Sequence, residues 1–236
     1  MGSLRFLLLM CASSATQPDT ETGYSQGGAV GSQDSTVTVC RSSFESNTCK
    51  DGAGEHMGGA IFIDGRTDLN ITVSQFLGNE VLDPSNLGRF STGGAIGVVG
   101  SKSTLQVAFT LFEDNRAVGG TVSTRGGAVA IEGALSAEFR AGVVFRNNSA
   151  SGDGAEGVRG GAVSMGSGQL IAVGTFFAGN TAEGNKPCGG AFSADFSENL
   201  TRRCLFSALF ESNTVLVRRG EGYGGALHLE GGRVAA

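Results

Sequence analysis

Seven blocks of Gly-Gly-Ala plus an aliphatic or Phe residue begin at Gly27, Gly58, Gly93, Gly126, Gly160, Gly189 and Gly224. Six Phe-x-x-Asn blocks lie between them, at Phe44, Phe76, Phe112, Phe145, Phe177 and Phe210. The two alternate strictly, with a period of about 33 residues. A unit this short cannot bury its own apolar face, so the chain must stack its repeats into a solenoid.

Helical repeats share this period, but a Gly pair in every unit and the lack of a sustained 3.6-residue period argue against them. The residues after each Gly-Gly-Ala alternate, as in Ile61/Ile63, Ile96/Val98 and Val129/Ile131. A second alternating run leads into each Phe, as in Leu69-x-Ile71-x-Val73 and Leu105-x-Val107-x-Phe109. Both read as half-buried strands. The units ending at Phe145 and Phe210 need a one-residue shift, as a bulge gives. Leu170, Ile171 and Val173 leave the unit at Phe177 without a settled register. The expected fold is all-β: a parallel β-helix of six to seven coils. Like residues then form columns about 4.8 Å apart. Phe44, Phe76, Phe112, Phe145, Phe177 and Phe210 should stack inside. Asn47, Asn79, Asn115, Asn148, Asn180 and Asn213 should form an amide ladder that also satisfies turn backbone. Gly-rich segments of variable length at 48–57, 80–92, 116–125, 149–159, 181–188 and 214–223 read as surface loops.

Residues 27–236 form the repeat domain, which can be part of a longer chain that continues end to end with further coils. Residues 1–26 are a degenerate first coil or cap, or a weak secretory leader. Met10-x-x-Ser13-x-Ala15 mimics the Phe-x-x-Asn block, whereas one Arg, a short apolar run and Ala-Ser-Ser-Ala suit a leader. The net charge of −5 disfavours nucleic acid as a partner. No apolar run is long enough for a transmembrane helix. Five cysteines cannot all pair within one chain. Cys40 with Cys49, and Cys188 with Cys204, can each close a loop inside a repeat, or they are scattered core residues. Asn70, Asn147 and Asn199 head glycosylation triplets.

The alternating blocks, such as Gly58-Gly-Ala-Ile61, Gly93-Gly-Ala-Ile96, Phe76-Leu-Gly-Asn79 and Phe177-Ala-Gly-Asn180, resemble the polymorphic outer membrane protein repeats of chlamydiae and related microbial repeat proteins. The resemblance covers the chain from about Gly27 to Leu229. It implies a right-handed parallel β-helix of pectin-lyase-like architecture and a cell-surface or extracellular passenger that acts as an adhesin or coat. A host or neighbouring-cell protein or glycan would be the partner. The C-terminal alternating strands of an outer-membrane barrel, which full members carry, are not found in this sequence.

The alternative is a polysaccharide lyase or hydrolase on the same fold. His56 and His228 stand about five coils apart, and no Asp-Asp, Gly-His-Gly or Arg-x-Lys motif occurs. The expectation is therefore no enzyme, no catalytic residue, no metal and no cofactor. One acidic column remains, one place past the first strand: Asp64, Glu132, Asp195 and Glu230, interrupted by Val99 and Gly166. Asp195 and Glu230 should be neighbours able to contact calcium or a sugar, or simply a solvated strand end. Two Gly-x-Gly-x-x-Gly matches, at Gly152 and Gly220, have no helix behind them. Arg202-Arg203 and Arg218-Arg219 read as loop charges or a small anion patch. Phe62 should point outward, where its ring could stack on a sugar.

Overall fold

In the computed structural model, residues 5–8, 25–50, 55–83, 89–195, 203–230 and 233–235 are described. Among them every secondary-structure element is a strand, every strand pairing is parallel, and the chain winds as a parallel β-helix of about six turns. One turn shows the pattern. Phe90–Thr92 leads into the Gly pair, followed by Ile96–Val98, Thr104–Ala108, Leu111–Glu113 and Arg116–Val118. Equivalent strands stack into four sheets. Seven strands follow the Gly pairs, six follow the ladder Asn residues, and five precede the Gly pairs. A twelve-stranded sheet carries two arms: the Leu/Val runs and the Phe segments. Arg5–Leu8 lies parallel to Thr36–Cys40 at one end, while Met10–Ala15 fall outside the described residues.

The repeated residues explain the corners. In each Phe-x-x-Asn block the residue before Asn is left-handed: Ser46, Gly78, Asp114, Asn147, Gly179 and Ser212 have φ between 52° and 64°. Gly, Asn and Asp tolerate that region best. The first Gly of each pair is left-handed too, as at Gly93 with φ 65°. A β-carbon on Gly94 would meet the carbonyl oxygens of Gly127 and Arg116. The pair is therefore needed twice over, for backbone conformation and for close approach of the next coil.

The main core lies between the Gly-Gly-Ala strands and the bent sheet. Ile61, Ile63, Leu69, Ile71 and Phe76 are fully buried. The Phe rings stack with centroids 4.8–4.9 Å apart and planes within 11°. The amide ladder runs beside them. Asn79 Nδ2 donates to Asn115 Oδ1 at 2.9 Å and to the Phe44 carbonyl at 2.9 Å. Its own Oδ1 accepts from the backbone and side-chain amides of Asn47 at 3.0 and 2.8 Å. The same bonds recur through Asn115, Asn148, Asn180 and Asn213. A buried primary amide is thereby fully satisfied.

Several sequence expectations change. The segments 48–57, 80–92, 116–125 and 149–159 are not whole loops. Each carries two short strands, such as Glu80–Leu82 and Phe90–Thr92, and only the residues between them are tips. Residues 51–54 and 84–88 of those tips lie outside the described residues. Glu80–Leu82 and its equivalents enclose a second, thin core of Ala150, Val158 and Ala182, backed by Val215. The Phe145 unit has one extra residue at the bend, Ala141 to Val143, where other units have two. The Phe210 unit has one fewer, and the register shifts between Val173 and Thr175. Leu170 and Ala172 are the buried positions of the Phe177 unit.

The cysteine loops do not close. Cys40, Cys49 and Cys188 are free thiols. Cys49 is 1% exposed and faces the interior, while Cys40 alternates to the outer side of its strand. Cys188 lies on the short-strand side, and Cys204 belongs to strand Arg203–Glu211 of the bent sheet.

Candidate functional site: a charged re-entrant corner

The chain bends inward where each short strand meets its Gly pair. The residue before the pair forms one column: Gln26, Met57, Thr92, Arg125, Arg159, Cys188 and Tyr223. The middle residue of the following strand forms another: Gly31, Phe62, Gly97, Ala130, Ser164, Ser193 and His228. The two columns face each other across the corner. A β-carbon on Gly97 would lie 3.3 Å from Met57 Cβ, and the rings of Tyr223 and His228 are 5.8 Å apart. Phe62 is accordingly buried, at 7% exposure, and offers no stacking platform. It points away from the main core, but the concave corner covers it.

The acidic column runs along the same corner. Glu132 accepts from Arg125 Nη1 at 2.6 Å, and Arg125 Nη2 reaches Glu156 at 3.1 Å. Arg159 Nη1 donates to Asp195. Asp64 Oδ1 accepts from the Gly65 amide, and Glu230 lies 3.9 Å from His228 Nε2. Asp195 and Glu230 pair in register on adjacent strands. Two carboxylates of the column, Glu132 and Asp195, are thus paired with the guanidinium groups of Arg125 and Arg159, each the residue before a Gly pair. Those two cations are not visible as a set in the sequence, because the seven positions in that register carry six residue types.

At the corner's far end a pocket of about 440 Å³ is lined by Glu156, Arg159, Lys186, Cys188, Tyr223, His228 and Glu230. Burial raises the Cys188 thiol pKa; Arg159 opposes this, while Glu230 and Asp195 add to it. The Tyr223 hydroxyl pKa is also raised, chiefly by its hydrogen bond to Glu221. A protonated thiol is a poor nucleophile. Among the described residues no group of three or more His, Cys, Asp or Glu side chains is placed to hold a metal.

Other sequence candidates are dispersed. His56 is fully buried in the thin lobe, in one column with Ser91, Thr124 and Val158, far from His228. Arg218 is held by Glu183 at 2.9 Å and Asp153 at 3.3 Å, and its pKa is raised mainly by the Glu183 bond. It is therefore not an open anion patch. The two Gly-x-Gly-x-x-Gly matches span strand ends and turn tips, with no helix among the described residues. Asn70 is half-buried in mid-strand, Asn147 is exposed at a left-handed corner, and Asn199 lies outside the described residues. Comparison of the chain with protein-family models, with curated proteins and with solved structures finds no match in any of the three.

Proposed function

We propose that this chain is a non-enzymatic surface or extracellular rod, adhesin-like or coat-like, which binds a protein or glycan of a host or neighbouring cell. The observation that carries the reading is the division between inside and outside. Interior columns repeat Phe and Asn coil after coil, while the tips between the post-Asn strands and the short strands differ in length and charge. Tips 119–122 and 153–156, equal in length, exemplify the difference in charge, the first with Gly-Gly-Thr-Val and the second with Asp-Gly-Ala-Glu. A rigid stack that presents different tips at about 4.8 Å intervals is a natural multivalent surface. The resemblance to polymorphic outer membrane protein repeats supports the same reading, as does the engagement of Glu132 and Asp195 by arginines. Protease shaving of intact source cells, followed by binding of the purified rod to those cells' partners, tests it. Exchange of tips 119–122 and 153–156 should abolish binding with an unchanged melting curve. A product found only inside cells, or binding indifferent to the exchange, refutes it.

A second reading, cleavage of an acidic polysaccharide, draws on Glu230, which lines the 440 Å³ pocket, and on Asp195, its register partner on the adjacent strand. Turnover that disappears in Asp195→Asn would replace the first reading.

A further inference from the structure

The bent sheet has a second concave line, on a different face from the charged corner. Between its arms one residue per coil is left-handed: Arg41, Val73, Phe109, Ala141 and Gly174, with φ of 49°, 51°, 50°, 52° and 63°. Gly suits this column at Gly174, yet the chain holds Val and Phe at two positions. A β-branched residue at positive φ is an outlier, and such backbone strain persists only where its surroundings enforce it. These side chains also gain little from burial. Val73 is 52% exposed and Phe109 62%. Leu209, on the Phe arm of the same bend, is 61% exposed. Strain and exposure together mark this line as one whose side chains are used by something outside the coil.

The groove there has a volume of about 810 Å³. Its floor is fixed by a hydroxyl series. Ser42, Ser74 and Thr110 each donate back to the carbonyl two residues earlier, at 2.9, 2.8 and 2.8 Å. The Phe109 ring lies beside Gly142, where an added β-carbon would sit 3.9 Å from it. Polar groups line the same groove: Gln75 Nε2 donates to Ser43 Oγ at 2.9 Å, Ser43 Oγ donates to Glu45 at 2.6 Å, and Arg41 is the single charged lining residue.

The backbone decides what kind of ligand fits. The amides of Arg41, Val73 and Phe109 donate to Thr72, Ala108 and Ala141 of the next coil. Those of Gln75, Leu111 and Val144 donate to Ser42, Ser74 and Thr110 of the preceding coil. An extended peptide therefore gains no main-chain ladder here, which is the source of affinity when a strand adds to a sheet. Two copies of a concave line do not fill each other. A neutral pyranose chain uses what remains: an aromatic face for its C–H surface, and hydroxyl and amide groups for its own hydroxyls. We infer that the Val73–Phe109 line is a binding groove for a neutral oligosaccharide, with Phe109 as the stacking platform and the Gln75 side-chain amide, which keeps Oε1 and one Nε2 hydrogen beyond its bond to Ser43, as the hydrogen-bonding partner. It is independent of the turn tips.

The test uses the full chain and calorimetric titration with cellohexaose, chitohexaose and mannohexaose, with an acidic oligogalacturonate as comparator. One neutral series should bind. Phe109→Gly should weaken it at least about tenfold, with a melting temperature equal to or above the parent, because the left-handed strain is relieved. Gln75→Ala should weaken it less, and exchange of tip 153–156 should leave it unchanged. The inference is overturned if no neutral sugar binds, if the acidic chain is preferred, or if Phe109→Gly keeps full affinity. It is also overturned if sedimentation shows that Phe109→Gly dissociates an oligomer, since the occupant is then a second copy.

Discussion

At the scale of single residues, the chemistry of Cys188 follows from its neighbours. Burial first, then the Glu230 and Asp195 carboxylates, raise its pKa against the pull of Arg159. A raised pKa means less thiolate at a given pH, so iodoacetamide should modify Cys188 in the folded rod more slowly than in the urea-unfolded chain at pH 8. Asp195→Asn and Glu230→Gln each remove a raising influence and should speed the folded-state reaction, whereas Arg159→Gln should slow it. Mass-resolved alkylation rates at this cysteine check the order; equal rates in all four proteins would contradict it. The ladder amides give a second residue-scale expectation. Asn115 makes bonds to the coils on both sides, to Asn148, Phe76 and Asn79. Asn115→Ala leaves these partners unpaired in a buried site and should cost about 1–3 kcal/mol in a denaturant melt.

At the scale of elements, the Gly pair separates what the sequence discloses from what it hides. The Phe, Asn and Gly columns were legible because one residue type alone suits each place. Phe fills a stack of rings, Asn satisfies four hydrogen bonds, and Gly94 sits where a β-carbon would strike backbone oxygens. Gly94→Ala should therefore destabilise the rod by more than the roughly 1 kcal/mol that separates Ala from Gly by propensity, because backbone, not a flexible side chain, is in the way. A melting temperature matching the parent would show that the coils can part there at little cost. The short strands before the Gly pairs escaped notice for the opposite reason. Two or three residues give no period, and Met57, Thr92, Arg125, Arg159 and Cys188 share only a register. Phe62 points outward from its strand as alternation predicts, yet it is covered, because alternation tells buried from exposed only on an open sheet. At a re-entrant corner the outward face is covered as well. The hydroxyl series Ser42, Ser74 and Thr110 was hidden likewise, since Ser and Thr are common enough in this chain to carry no signal by themselves.

At the scale of the whole molecule, stability is a sum over neighbouring coils, so position along the rod matters as much as chemistry. Insertions show this, because their effect depends on whether the added residue enters a strand that pairs with neighbouring coils or a connection between strands. The tip at 153–156 joins two strands whose pairings lie outside it, Ser149–Gly152 with Thr181–Asn185 and Gly157–Arg159 with Ser123–Arg125. Six Gly and Ser residues added between Gly154 and Ala155 leave those strand pairings intact and put at risk only the tip's own bonds, such as Ala155 N to the Thr121 carbonyl, while lengthening the loop from four residues to ten costs about 0.8 kcal/mol in closure entropy. One residue inserted between Ala117 and Val118 has a far larger effect although it adds less. It shifts a strand by half its period and carries Val118, which pairs with Leu82 and Ser151, onto the inner face. Chemical denaturation of the two insertion variants should give a midpoint near the parent for the six-residue tip and a large loss for the single residue in the strand. If the longer insertion proves the more damaging, the tips are part of the rod's structure and not the place where its binding specificity resides.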